Sequence, residues 1–182
     1  LGMYAAIMEN KRGLKKNSLL GTKVKQNQDT IKNFSEKIKI IKHNQLNKDF
    51  MLISRIESLI LKNGMKDALK RADAYIKAGS DGVMIHSKEK SPKEIFEFAR
   101  KFKKRHKDIP LVCVPTSYNG VRESELIKNG FNIVIYANQL FRASYPSMND
   151  AAISILKNER SKEIDKKLIS IDQILNLIPG TI

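Results

Sequence analysis

Five apolar runs in this sequence each lead into residues that can do chemistry. Tyr4–Met8 leads into Glu9, Asn10 and Lys11. Phe50–Ser54 leads into Arg55 and Glu57, and Gly82–Ile85 into His86, Ser87 and Lys88. Leu111–Val114 leads into Pro115 and Thr116, and Asn132–Tyr136 into Asn138. Each residue has an ordinary explanation when taken alone. Glu9 would be a solvated loop carboxylate, and Asn138 a turn stabiliser. Arg55 and Glu57, two apart, would pair on one side of an extended strand. His86 would be a hydrogen-bonded histidine. Their recurrence at every run calls for more. A rim bearing Arg, His, Asn and Lys suits an oxyanion such as phosphate or carboxylate. A carboxylate beside them points to a hard cation, magnesium with several waters retained.

Strand ends converge on one site only if the strands are parallel, so the elements between them matter. The five runs are apolar almost throughout, as expected of strands covered on both faces. Helical patterns fill the gaps. Ile31, Phe34, Ile38 and Ile41 mark a helix over 29–42. Ala68, Leu69, Ala72 and Ile76 mark another over 65–78, stopped at Gly79. Ser91 as N-cap and Pro92 in the first turn open a third, with Ile95, Phe96, Ala99 and Phe102 as its stripe. A short helix covers 123–128 and closes at Gly130. A longer one covers 140–158, either continuous or interrupted at Pro146, and a last turn or two covers 170–177. Strand alternating with helix gives βαβ units and a parallel sheet. Five units leave two architectures open: a small open sheet, or the later part of a barrel, since a closed eight-stranded barrel takes about 250 residues.

The 182 residues include 41% hydrophobic and 29% charged residues, a globular mixture with enough apolar residues for a sizeable core. Lys and Arg outnumber Asp and Glu by 34 to 19, a formal net charge of +15. The densest cluster, Arg100, Lys101, Lys103, Lys104, Arg105 and Lys107, carries no aromatic interleaving, which argues against nucleic acid and for a solvated helix end. A basic surface also attracts small anionic substrates. No apolar run approaches the ~20 residues of a membrane span. Leu1–Met8 lacks a basic leader, which argues against a signal peptide. Cys113 is the sole cysteine, so a disulfide framework and a cysteine-based zinc site are excluded, and a reducing, cytoplasmic location is expected. The segment Asn10–Gln28 is long, polar and poorly periodic, as lids often are.

The order of these pieces resembles the phosphoenolpyruvate mutase and isocitrate lyase superfamily, and within it the phosphoenolpyruvate phosphomutases. Glu9-Asn10-Lys11 followed by Lys15-Lys16-Asn17-Ser18-Leu19 is similar to the family's E-D-K and K-x-N-S-L gating loop. Ser54-Arg55-Ile56-Glu57-Ser58 resembles its A-R-x-E-A strand end. Asp67–Ala72 with Ala78–Asp81 resembles the helix before its H-S-K motif, and His86-Ser87-Lys88 matches that motif. Val114-Pro115-Thr116, Tyr136-Ala137-Asn138 and Arg142-Ala143-Ser144 complete the series. The resemblance implies an α/β fold, a partial (β/α) barrel of five βα units, with 1–182 the C-terminal part of a single domain. Residues 10–28 would be the gating loop and 140–182 the C-terminal helices. It implies an isomerase that interconverts phosphoenolpyruvate and phosphonopyruvate in phosphonate biosynthesis, dependent on Mg2+. By motif, Arg55 and His86 hold the phosphoryl group, and Asn17 meets it from the loop with Lys15 and Ser18. Ser87 and Asn138 contact substrate, and Glu9 reaches the metal through water. The family also implies a homo-oligomer, dimer or tetramer, in which the helix near Arg142 packs against or swaps with a partner.

The sequence departs from the pattern in three places. The family's direct metal-binding acids, its tryptophan-aspartate-serine-glycine segment and its candidate nucleophilic aspartate precede the E-D-K motif and are not among these residues. The chain thus resembles a family member lacking its N-terminal third, and alone is expected to be inactive. Asn10 stands where the motif has an acid. Gly13-Leu14 replaces the loop's phenylalanine-proline, which should loosen the lid. Phosphonopyruvate hydrolase is the nearest alternative, although Asn17 and Ala137 favour the mutase. A carbon–carbon lyase and a non-catalytic fragment or pseudoenzyme are the others.

Overall fold

Side chains alternate along a strand, so the fold is decided by which alternate set the helices cover. The computed structural model describes residues 3–13 and 26–178. The chain forms two compact units, Leu1–Ala137 and Asn138–Ile182.

In the first unit, β1 (Ala5–Glu9), β4 (Met51–Ile56), β5 (Gly82–Ile85), β6 (Leu111–Cys113) and β7 (Ile133–Val134) form one parallel sheet in the order β1-β4-β5-β6-β7. Helices α1 (Ile31–His43), α2 (Gly64–Lys77), α3 (Lys93–Lys103) and α4 (Glu123–Lys128) occupy the successive crossovers. They pack on one face. Phe34, Ile38, Ala68, Tyr75, Phe98 and Phe102 from the helices share a core with Leu52, Ile56, Val83, Ile85, Leu111 and Cys113 from the strands. The alternate strand residues, Ile53, Met84, Val112 and Val114, form a separate small cluster on the opposite face. Strand order that follows chain order, with helices on one face, is the singly wound arrangement of a barrel wall. A doubly wound open sheet reverses its order at a switch point and carries helices on both faces. The doubly wound form of an open sheet is thereby excluded.

The joints follow from local chemistry. Gly79 and Gly130 adopt φ of +109° and +91°, beyond the ends of α2 and α4. After α2, the Ser80 N–H reaches the Tyr75 carbonyl and the Gly79 N–H that of Ile76; Phe131 and Gly130 repeat the pattern on Leu126 and Ile127. These are Schellman closures, which favour glycine at the left-handed position. Asp81 then fixes the start of β5: its carboxylate accepts from the Leu52 N–H at 2.7 Å and pairs with Lys42 of α1 at 2.8 Å.

Two expectations are corrected in this unit. The segment 10–28 is not loop throughout: β2 (Lys11–Arg12) pairs antiparallel with β3 (Asn27–Gln28), giving the segment a two-stranded stem. The α3 N-cap position is Pro92 rather than Ser91, although the Ser91 hydroxyl still accepts from the Lys93 N–H at 3.4 Å. The second unit comprises α5 (Gln139–Asn158), a 3₁₀ turn at Asp165–Lys167 and α6 (Ile171–Leu175), which opens on a Ser170–Gln173 capping box. Of the two possibilities left open at Pro146, the structure has the continuous helix. The helix runs through it, forgoing the one backbone donor that proline lacks.

Candidate functional site

The register brings the sequence-predicted strand ends together. Glu9 of β1 lies opposite Arg55 of β4. Ile56 lies opposite Ile85, so Glu57 and His86 are level one residue further on. Arg55 and Glu57 continue the alternation of Ile53, and His86 that of Met84, so they extend the non-helical face beyond its apolar cluster.

Four charges interlock there. Glu57, fully buried, accepts from Arg55 Nε at 2.6 Å and pairs with Lys11 Nζ at 3.2 Å. Lys11 also pairs with Glu9 at 3.0 Å, and Arg55 Nη2 lies 3.5 Å from the same carboxylate oxygen. A buried carboxylate is tolerated only with such compensation. The geometry locks the Arg55 guanidinium in place, the condition for recognising an oxyanion without reorganisation. His86 is 4% exposed. Burial, then the charges of Arg55 and Lys11, push its pKa down to about 4 against the counter-pull of Glu57. It therefore enters the site as a neutral imidazole at pH 7, with Nδ1 buried and unpartnered among the described residues.

The neighbouring residues face the other way. Asn10 is fully buried: its Oδ1 accepts from the Glu57 N–H at 3.1 Å and its Nδ2 donates to Tyr75 Oη of α2 at 3.0 Å. Arg71 donates to the same phenol at 3.0 Å and to the Asp29 carbonyl at 2.7 Å. The Asp29 N–H closes on the Asn10 carbonyl at 2.8 Å, so one polar knot ties both ends of the 10–28 segment to the sheet. Burial opposes ionisation of Asp29, but Lys37 at 2.6 Å and the Thr30 N–H hold its carboxyl below the usual range. The asparagine at the motif's acidic position thus leaves the charge cluster intact. Ser87 likewise faces α3, where its hydroxyl donates to Glu94.

Glu9, Arg55 and His86 are therefore brought to one place, and the Ser87 side chain is not. Asn138 belongs to the second unit, where it precedes α5. Lys15, Asn17 and Ser18 lie outside the described residues. Glu57 pairs with Arg55 as their spacing of two suggests, and Lys11, read in the sequence as a strand-end residue without a role, completes the cluster. Their signal was the spacing of two in Glu9–Lys11 and Arg55–Glu57. The cluster does not fit a directly bound magnesium ion. Both carboxylates are already neutralised by Arg55 and Lys11, and the described residues hold no group of three or more His, Cys, Asp or Glu side chains placed for a metal.

Fold and site together define an α/β-barrel wall whose strands carry, at their carboxyl ends, a charge-balanced cluster of Glu9, Lys11, Arg55 and Glu57 beside His86. A sequence profile described as phosphoenolpyruvate phosphomutase matches residues 1–156, and the chain belongs to that family. It is 36% identical over 170 residues to the phosphoenolpyruvate phosphomutase of Tetrahymena pyriformis, covering 93% of this chain and 55% of that protein. The crystal structure of a phosphoenolpyruvate phosphomutase from Streptomyces platensis subsp. rosaceus superposes with a TM-score of 0.85 at 33% identity, covering 94% of this chain and 58% of that one. A phosphonopyruvate hydrolase in complex with oxalate and Mg2+ superposes with a TM-score of 0.80 at 31% identity, covering 94% of this chain and 57% of that one. The chain thus spans little more than half the length of these relatives. In the described residues no helix is long and apolar enough to cross a membrane.

Proposed function

We propose that the gene product carrying this chain is a phosphoenolpyruvate phosphomutase, an isomerase that interconverts phosphoenolpyruvate and phosphonopyruvate for phosphonate biosynthesis. Family membership supports the reading. The observation that carries it is the gathering of Glu9, Arg55, Glu57 and His86 on one face at three adjacent strand ends. In the direction of phosphoenolpyruvate formation, a carbon–phosphorus bond breaks and an oxygen–phosphorus bond to the enolate oxygen forms, with no net change in protons or electrons. The migrating group spreads charge over its equatorial oxygens, so fixed donors and exclusion of water are required. Arg55 supplies a clamped guanidinium and His86 a neutral N–H. Asn17, Lys15 and Ser18 cover the group from the 10–28 segment, whose stem is fixed by the Asn10–Asp29 knot. Asn138 and the Ser87 main chain complete the substrate contacts. Mg2+ belongs to this proposal, with Glu9 reaching it through water. A single barrel domain incorporating both units, a cytoplasmic homo-oligomer and a small anionic substrate belong to it as well.

The related hydrolase keeps a second reading in view. Asn17 and Ala137 favour the mutase. The deciding measurement is phosphorus NMR of phosphonopyruvate incubated with the gene product and Mg2+. Growth of a phosphoenolpyruvate signal is expected, and Arg55→Ala should slow it by about 2–4 kcal/mol of transition-state stabilisation. A wild-type protein that forms no phosphoenolpyruvate, or an Arg55→Ala variant at near-normal rate, refutes the proposal.

A further inference from the structure

Nδ1 of His86 and the hydroxyl of Thr116 are among the buried polar atoms that have no hydrogen-bond partner among the described residues. Their placement is related. β5 and β6 are neighbours, with Met84 opposite Val112, so His86 is level with Val114. Val112 and Val114 both belong to the cluster on the non-helical face. Thr116 follows after the buried Pro115, and its N–H returns to the Val114 carbonyl at 2.8 Å, which fixes the backbone that carries the hydroxyl. A sheltered hydroxyl with no partner is costly to keep. A turn that fixes such a hydroxyl two residues past the position level with His86, itself carrying an unpartnered ring nitrogen, is what a preformed ligand contact requires.

We infer that Thr116 is a substrate-contacting residue, its hydroxyl and the His86 imidazole forming a donor pair for one phosphonate or phosphate oxygen. The inference rests on the proposed function, which places the phosphoryl group at Arg55 and His86, and adds β6 as a third strand supplying a donor. Adjacent strands lie about 4.8 Å apart, so a tetrahedral oxyanion held by Arg55 on β4 and His86 on β5 is within reach of a group on β6.

The test is calorimetric titration of phosphonopyruvate and, separately, of oxalate into the gene product and its Thr116→Val and Thr116→Ser variants, with thermal midpoints measured in parallel. Valine keeps the shape and removes the donor. Thr116→Val should bind phosphonopyruvate about tenfold or more weakly, as expected for a lost hydrogen bond to a charged group. It should leave oxalate affinity unchanged and unfold no earlier than wild type. Thr116→Ser should stay within about threefold of wild type. Equal phosphonopyruvate affinity for Thr116→Val and wild type overturns the inference. So does a loss confined to oxalate, which would assign the hydroxyl to a carboxylate, or an early-unfolding Thr116→Val, which would reveal a structural partner. A wild-type protein that binds oxalate but not phosphonopyruvate instead refutes the phosphoryl site itself, and the proposed function with it.

Discussion

Acidification should destabilise this chain through His86, and the size of the effect follows from its surroundings. Burial first, and then the charges of Arg55 and Lys11, push the imidazole pKa from 6.5 down to about 4. The unfolded chain therefore takes up a proton near pH 6.5, and the folded chain does so only near pH 4. Stability from the neutral imidazole is fully present above pH 6.5, is lost as the pH falls through that window, and is exhausted at about pH 4. At about 1.36 kcal/mol for each pH unit, the contribution is about 3 kcal/mol. Other groups titrate over the same range, so the assay is a difference: urea unfolding of wild type and His86→Asn from pH 7.5 to pH 4. Asparagine places a polar group near the position of Nδ1 and does not titrate. The stability of wild type relative to the variant should decline by about 3 kcal/mol across the window. An imidazole resonance titrating near pH 4 in the folded chain would corroborate it. A wild-type-minus-variant difference that stays flat, or an imidazole midpoint near 6.5, would refute the burial argument.

Asn10→Ala should cost about 2–4 kcal/mol in the same unfolding assay, since it strands the Glu57 N–H and opens a gap beside Tyr75. Asn10→Asp should be tolerated far better, because a carboxylate accepts from both the Glu57 N–H and the Tyr75 hydroxyl with Arg71 close by; comparable losses in the two variants would contradict the assigned contacts. In the gene product, Asn17→Thr should raise the ratio of phosphate released to phosphoenolpyruvate formed, because threonine is shorter and covers the phosphoryl group less completely. An unchanged ratio would remove the lid asparagine as the determinant of reaction choice. The isolated 182-residue chain should show neither mutase turnover nor thermal stabilisation by millimolar Mg2+, since both cluster carboxylates already pair with Lys11 and Arg55. Robust turnover would mean that a metal site is assembled from other residues.

The sequence by itself determined the elements and their order. Apolar runs bounded by Gly, Pro and polar residues placed β1, β4, β5, β6 and β7 within a residue or two, and helical spacing placed α1 to α4. Motif order placed Glu9, Arg55 and His86 at strand ends. The tertiary structure decided which of two adjacent polar residues faces the site. Glu9 and His86 turn to the open face, while Asn10 and Ser87 turn to the helices, where Tyr75 and Glu94 engage them. That choice was illegible because a strand covered on both faces is apolar at every position, so its period of two carries no visible phase. Only the packing of α1 to α3 on Leu52, Ile56, Val83 and Ile85 fixes it. The same limit hid the Lys11–Glu57 pair and the β2–β3 stem. Each joins residues distant in sequence, and the free energy of those pairings exists only after the fold has brought the segments together.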